Sequence, residues 1–119
     1  MTVQTRQTGE QGEKVAWQYL RRHGYRLVTT NYTCRGGEID IIAREGSTLV
    51  FVEVRSRSSA AYGLPLETVD ARKQQRIRLA AQHYLHSTGQ QEVYCRFDVV
   101  SVLWQEKGRP LVELYKDAF

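Results

Sequence analysis

Two acids interrupt otherwise apolar runs in the stretch GGEIDIIAREGSTLVFVEVRSR, residues 36–57: Asp40 and Glu53. β-Branched and aromatic residues on either side of a Gly-containing turn predict a β-hairpin. A turn centred between Gly46 and Ser47, with a loop of about two or four residues, sets Asp40 opposite Glu53 and Glu38 opposite Arg55. Opposed Cβ atoms lie about 4.5–5.5 Å apart, where like charges repel. Two carboxylates so placed and partly desolvated raise one another's pKa or take up a cation. A hard divalent ion such as Mg²⁺ accepts carboxylate oxygens and keeps several waters, polarises a phosphate and lowers the pKa of an attacking water. That is the chemistry of phosphodiester hydrolysis. The same residues have a structural reading, in which Asp40 accepts backbone hydrogen bonds at a strand end and Glu53 pairs with an arginine. Spacing alone leaves both open, since structural ion-pair networks produce similar clusters. For Arg55, pairing with Glu38 is as well supported as a role in the chemistry.

The hairpin must be held by the rest of the chain. Alternation puts Ile39, Ile41, Ala43, Val50, Val52 and Val54 on one face, and Glu38, Asp40, Ile42, Phe51, Glu53 and Arg55 on the other. Both faces are apolar near the turn, so the hairpin is expected to be covered on both sides, with its charged end at the mouth of the covered surface. Before it, Thr8-Gly9-Glu10-Gln11 fits a capping box, followed by Val15, Ala16, Tyr19 and Leu20 at helical spacing until Gly24. Tyr25–Tyr32 reads as a strand. Ser56–Pro65 reads as a loop, and Glu67 to about Ser87 as a second helix with the apolar stripe Val69, Ile77, Ala80, Ala81, Tyr84 and Leu85. Two strands follow, Val93–Trp104 and Leu111–Tyr115, joined across Lys107-Gly108. The order αβββαββ implies an α/β fold around a mixed sheet.

A chain of 119 residues suits one domain, with about residues 1–7 expected outside the ordered fold. The N-terminus lacks the apolar segment of a signal peptide and no run approaches a membrane span, so a cytoplasmic protein without membrane contact is expected. Cys34 and Cys95 have no disulfide or zinc spacing. His83 and His86 lack the accompanying Glu of a zinc-protease motif and read as ordinary helix residues. Asp98 in RFDVV reads as structural, pairing with Arg96 or a neighbouring strand. A net charge of +4 permits a polyanionic partner without requiring one.

The segments GGEIDIIA and FVEVRSR resemble the PD-(D/E)XK motif of the restriction-endonuclease-like superfamily. With TGEQGEKVAWQYL, LVFVEVRSRSSAAYG, CRFDVVSV and KDAF, the resemblance extends over nearly the whole chain to the YraN family of bacterial proteins. It implies a restriction-endonuclease-like core, a mixed β-sheet flanked by helices, similar to Holliday junction resolvases. Residue by residue, it implies Glu13, Asp40 and Glu53 as ligands of Mg²⁺ or Mn²⁺, with the carbonyl of Val54 as a further donor, and it implies dimers where both strands are cut. The motif lysine falls on Arg55. Arginine stays protonated, so it can stabilise phosphate charge but cannot act as a base. Lys73 shares a helical stripe with Val69, Ile77, Ala80 and Tyr84 and is a candidate substitute, although a lysine snorkelling at the stripe edge is the simpler reading.

Arg72, Lys73 and Arg76 on the second helix and Arg57 at the end of the motif strand are candidate phosphate contacts. Arg21 and Arg22 are weaker ones, since they also suit a helix C-terminus. No base-reading motif is present. The reading reached is a metal-dependent endonuclease acting on branched or damaged DNA, with Asp40, Glu53 and Arg55 as its catalytic group. The alternative is a nuclease-fold protein that has lost turnover and serves as a nucleic-acid-binding or adaptor module, which Arg55 favours and the intact acids oppose.

Overall fold

The computed structural model describes residues 2–58, 69–90 and 92–119, with side chains from Gly9 onward. The elements are α1 (Thr2–Arg22), β1 (Arg26–Cys34), β2 (Gly37–Glu45), β3 (Thr48–Arg57), α2 (Ala71–Ser87), β4 (Cys95–Leu103) and β5 (Leu111–Tyr115). This is the expected αβββαββ order, a mixed α/β fold compatible with a restriction-endonuclease-like core. The sheet runs β1-β2-β3-β4-β5 in space. All neighbours are antiparallel except β3 and β4, which are parallel. Parallel strands need a crossover, and α2 lies in the connection between them. Among the described residues no helix is long and apolar enough to cross a membrane.

Each helix covers one face. Under α2 lie Ile42, Leu49, Phe51 and Val99 with Ile77, Ala80 and Tyr84 of the helix itself. Under α1 lie Ile41, Ala43, Val50, Val52, Val100 and Val102, against Ala16 and Leu20. The hairpin is therefore buried on both sides, as its two apolar faces require. Glu45 pairs with Thr48 across a loop of Gly46 and Ser47, with Gly46 at φ +61°, so the shorter of the two expected turns is the one formed.

Four expectations need correction. Ile39 joins the α2 cluster rather than sharing a face with Ile41. Between their partners Tyr32 and Thr30, Asn31 takes a left-handed φ of +52°, which breaks the alternation of this part of the sheet. Helix α1 begins at Thr2, so Thr8 lies within it and does not cap it. Helix α2 begins at Ala71 rather than Glu67, because Asp70 has extended backbone and its carboxylate accepts from the Lys73 amide at 2.8 Å. Strand β3 runs on through Arg57, so the loop expected over Ser56–Pro65 starts two residues later, and its part beyond Ser58 lies outside the described residues.

Two glycines bring the helices down onto the hairpin. A Cβ on Gly12 of α1 would stand 2.6 Å from Ser56 Oγ, and one on Gly37 of β2 would stand 2.5 Å from the Arg76 carbonyl oxygen and 3.0 Å from the Ala80 nitrogen of α2. The obstacle at Gly37 is backbone and cannot rotate away. Gly37→Ala is therefore expected to cost about 1–3 kcal/mol, as overpacking does. Urea unfolding checks this; a change within error would mean that α2 is free to lift from β2.

Candidate metal and phosphate site

Strands β2 and β3 stay paired from the turn out to Ile41 and Val52. Beyond that point the Val54 amide donates to Asp40 Oδ2 at 2.9 Å. Asp40 thus has the strand-end hydrogen bond of the structural reading, and it also shares a side-chain hydrogen bond with Glu53. Glu53 is 3% exposed and continues the Leu49–Phe51 row facing α2. From α1, held close by Gly12, Glu13 senses the Asp40 charge. The hairpin and both helices therefore meet at one end of the sheet with three acids.

The electrostatics are those of crowded carboxylates. Burial, followed by the Glu53 charge, pushes Asp40 well above the usual range, to about 8, against the lowering effects of the Val54 amide and Lys73. Burial, followed by the Asp40 charge, lifts Glu13 to about 7, although a hydrogen bond from Asn31 opposes the rise. Two cations stand over Glu53: Arg55 Nη1 and Lys73 Nζ, each 3.3 Å from Oε2. Arg55 does not take Glu38 as its partner. Glu38 turns instead to Lys73 at 3.9 Å and Arg76 at 3.8 Å, because Gly37 lets α2 pass directly over the start of β2. Lys73 does not snorkel away; the helix stripe aims it at the acids. The Arg55 Nε is buried without a hydrogen-bond partner.

Of the expected site residues, Asp40, Glu53, Arg55 and Lys73 are brought together, Val54 contributes its amide, and Glu13 is coupled through Asp40. Arg72 and Arg76 lie along α2 beside them. Arg57 is oriented so that its charge is felt by Tyr115 of β5. Spacing did not point to Asn31 or to the bridging role of Glu38. The Gly36-Gly37 pair was the available signal for close helix approach. His83 hydrogen-bonds Tyr32 at the surface. Asp98 is structural as expected, buried against Arg96 and Tyr25.

The donor set suits a hard divalent cation: desolvated carboxylate oxygens whose repulsion a cation would relieve. Among the described residues no three Asp, Glu, His or Cys side chains form a ready-made cage. The pair Asp40–Glu53 is what is prebuilt. Fold and site together define a mixed α/β protein with paired acids at the end of its central hairpin, an architecture compatible with a restriction-endonuclease-like core.

The chain belongs to the uncharacterised protein family UPF0102, whose model matches residues 12–102. Similar proteins of this family include one from Syntrophus aciditrophicus, 49% identical over 98% of this chain and 91% of the relative. Another, from Moorella thermoacetica, is 47% identical over the full length of both. The matched region contains Glu13, the whole hairpin and α2.

Proposed function

We propose that this protein is a divalent-metal-dependent endonuclease that hydrolyses phosphodiester bonds in branched or damaged DNA. The carrying observation is the desolvated Asp40–Glu53 pair with Lys73 and Arg55 converging on the same carboxylate. Asp40 and Glu53 would hold Mg²⁺ or Mn²⁺, with Glu13 and the Val54 carbonyl as further donors. When bound, the metal supplies Lewis acidity and a more acidic water. The chain itself supplies the rest. Arg55, whose side chain is partly exposed, offers its guanidinium charge to a phosphate oxygen, and Lys73, already beside Glu53, neutralises the same region and orients the attacking water by hydrogen bonding.

A second reading has an observation of its own. Glu53 is already ion-paired to two cations, which is how a site that no longer needs a metal is neutralised. In that case the fold binds nucleic acid without cutting it.

The two separate by titrating Mn²⁺ into wild type and Asp40→Asn while following thermal unfolding, and then assaying both on a four-way DNA junction. The endonuclease reading expects a metal-dependent rise in Tm and junction cleavage in wild type, both absent in Asp40→Asn, with cleavage reduced at least about a hundredfold. No metal response, with salt-sensitive junction binding retained, leaves the binding protein and removes the enzyme.

A further inference from the structure

Helix α2 has a second surface, turned away from the sheet, that the metal site does not use. A shallow concavity of about 440 Å³ lies there. Arg72, Arg76 and Arg78 line it with Gln75, Gln82 and Leu79, and none of the described lining residues is an acid. Leu79 is 46% exposed, a large apolar side chain set among arginines. Gly36 closes one side at φ +85°, and a Cβ there would stand 3.0 Å from Leu79 Cδ2, so the turn presents bare backbone to the groove. The Arg78 guanidinium lies 4.7 Å above the Phe97 ring and 5.5 Å from that of Phe119, which restrains its direction.

A ligand for this surface must be anionic along its length, must offer flat apolar area to Leu79, and must offer hydrogen-bonding edges to two carboxamides. Duplex DNA shows a flat protein surface mainly phosphate, and a simple polyanion offers no apolar face. A single strand offers all three features. The groove is also continuous with the acids, because Arg76 touches Glu38, Glu38 touches Lys73, and Lys73 touches Glu53.

We propose that the α2 groove binds single-stranded nucleic acid, with phosphates on Arg72, Arg76 and Arg78 and a base or sugar on Leu79. Resting on the nuclease reading, it holds the unpaired strand that flanks the phosphate to be cut. Binding in the groove needs no metal, so it is separable from chemistry. A substrate with an unpaired arm beside a junction is then favoured over an uninterrupted duplex.

The test measures fluorescence anisotropy of a labelled single strand of about 12 nucleotides in EDTA, with an equal-length duplex and inorganic polyphosphate as competitors. Wild type, Leu79→Glu, Arg78→Gln and Asp40→Asn are compared, with Leu79→Glu and Arg78→Gln checked for an unchanged thermal transition and Asp40→Asn for one no lower than wild type. Expected are binding of the single strand by wild type and Asp40→Asn and at least about tenfold weaker binding by Leu79→Glu. Arg78→Gln is expected to shallow the salt dependence by about one phosphate, and polyphosphate to compete poorly. No binding by wild type in EDTA overturns the proposal, as do Leu79→Glu and Arg78→Gln both within twofold of wild type, or a duplex that competes better than the strand. Failure here with cleavage still abolished by Asp40→Asn removes the groove and keeps the nuclease; groove binding without junction cleavage does the reverse.

Discussion

In the absence of divalent cations, stability is expected to fall as pH rises from about 4 to about 8, and Asp40→Asn is expected to remove most of that fall. The sign follows from where the protons are. Asp40 has an ordinary value of 3.8 and is pushed to about 8 in the fold, so between these limits the native state holds a proton that the unfolded chain has released. Unfolding then releases protons, and raising the pH favours it. Glu13 adds to the same trend over the narrower window from 4.5 to about 7. Glu45, lowered chiefly by its hydrogen bond from Lys116, acts in the opposite direction and only below its ordinary value of 4.5, so it opposes the Asp40 effect only at the acid end of the window, between 3.8 and 4.5. Asparagine at position 40 keeps an acceptor for the Val54 amide without the charge. The variant should therefore exceed wild type at pH 8 by of the order of 2 kcal/mol, read from urea midpoints in EDTA at several pH values. An Asp40→Asn protein less stable than wild type at pH 8 would mean that the ionised carboxylate is a structural acceptor and not half of a repelling pair. Because a cation competes with these protons, stabilisation by Mn²⁺ should grow as pH rises through the same window.

The largest loss of stability is expected at Asp98. This carboxylate is fully buried and accepts from Arg96 Nε at 2.8 Å, from the Tyr25 hydroxyl at 2.9 Å and from the Asp117 amide at 3.0 Å. Arg96 also reaches Glu45 at 2.7 Å, and Glu45 takes Lys116 at 2.8 Å. One buried charge therefore ties the residues after α1, the hairpin turn, β4 and the segment after β5. Removing one partner of a buried ion pair leaves the other desolvated and uncompensated, which costs about 3–5 kcal/mol. Asp98→Ala should lie near the lower end, about 3 kcal/mol, because Glu45 remains for Arg96. Asp98→Asn, which still accepts hydrogen bonds, should cost about half as much. Urea unfolding with both variants separates charge from hydrogen bonding; equal losses would mean that the charge alone matters.

The two acidic clusters show how far residue types carry. Both Asp98 and the Asp40–Glu53 pair are acids in apolar strands, and each cluster has an arginine two residues along the same strand, Arg96 for Asp98 and Arg55 for Glu53. What set the second apart in the sequence was a further acid across the turn, Asp40 opposite Glu53. Strand periodicity is short-range, so the hairpin register and the convergence of those two carboxyls were legible from spacing. Partners at long separation were not. Glu38 was matched to Arg55 by register, but α2, nearly forty positions later, supplies Lys73 and Arg76 instead.

The sequence by itself determined the element order, the two-sided burial of the hairpin, the turn at Gly46-Ser47 and the identity of the paired acids, because each follows from the local periodicity of side chains along one strand or helix. Only the tertiary structure decided that Ile39 changes faces beside the left-handed Asn31, that Glu13 shares the field of Asp40, and that Lys73 stands with Arg55 over Glu53. These depend on how closely each helix lies on the sheet. That distance is set by missing side chains at Gly12 and Gly37, whose effect appears only when the opposing backbone or side chain is in place.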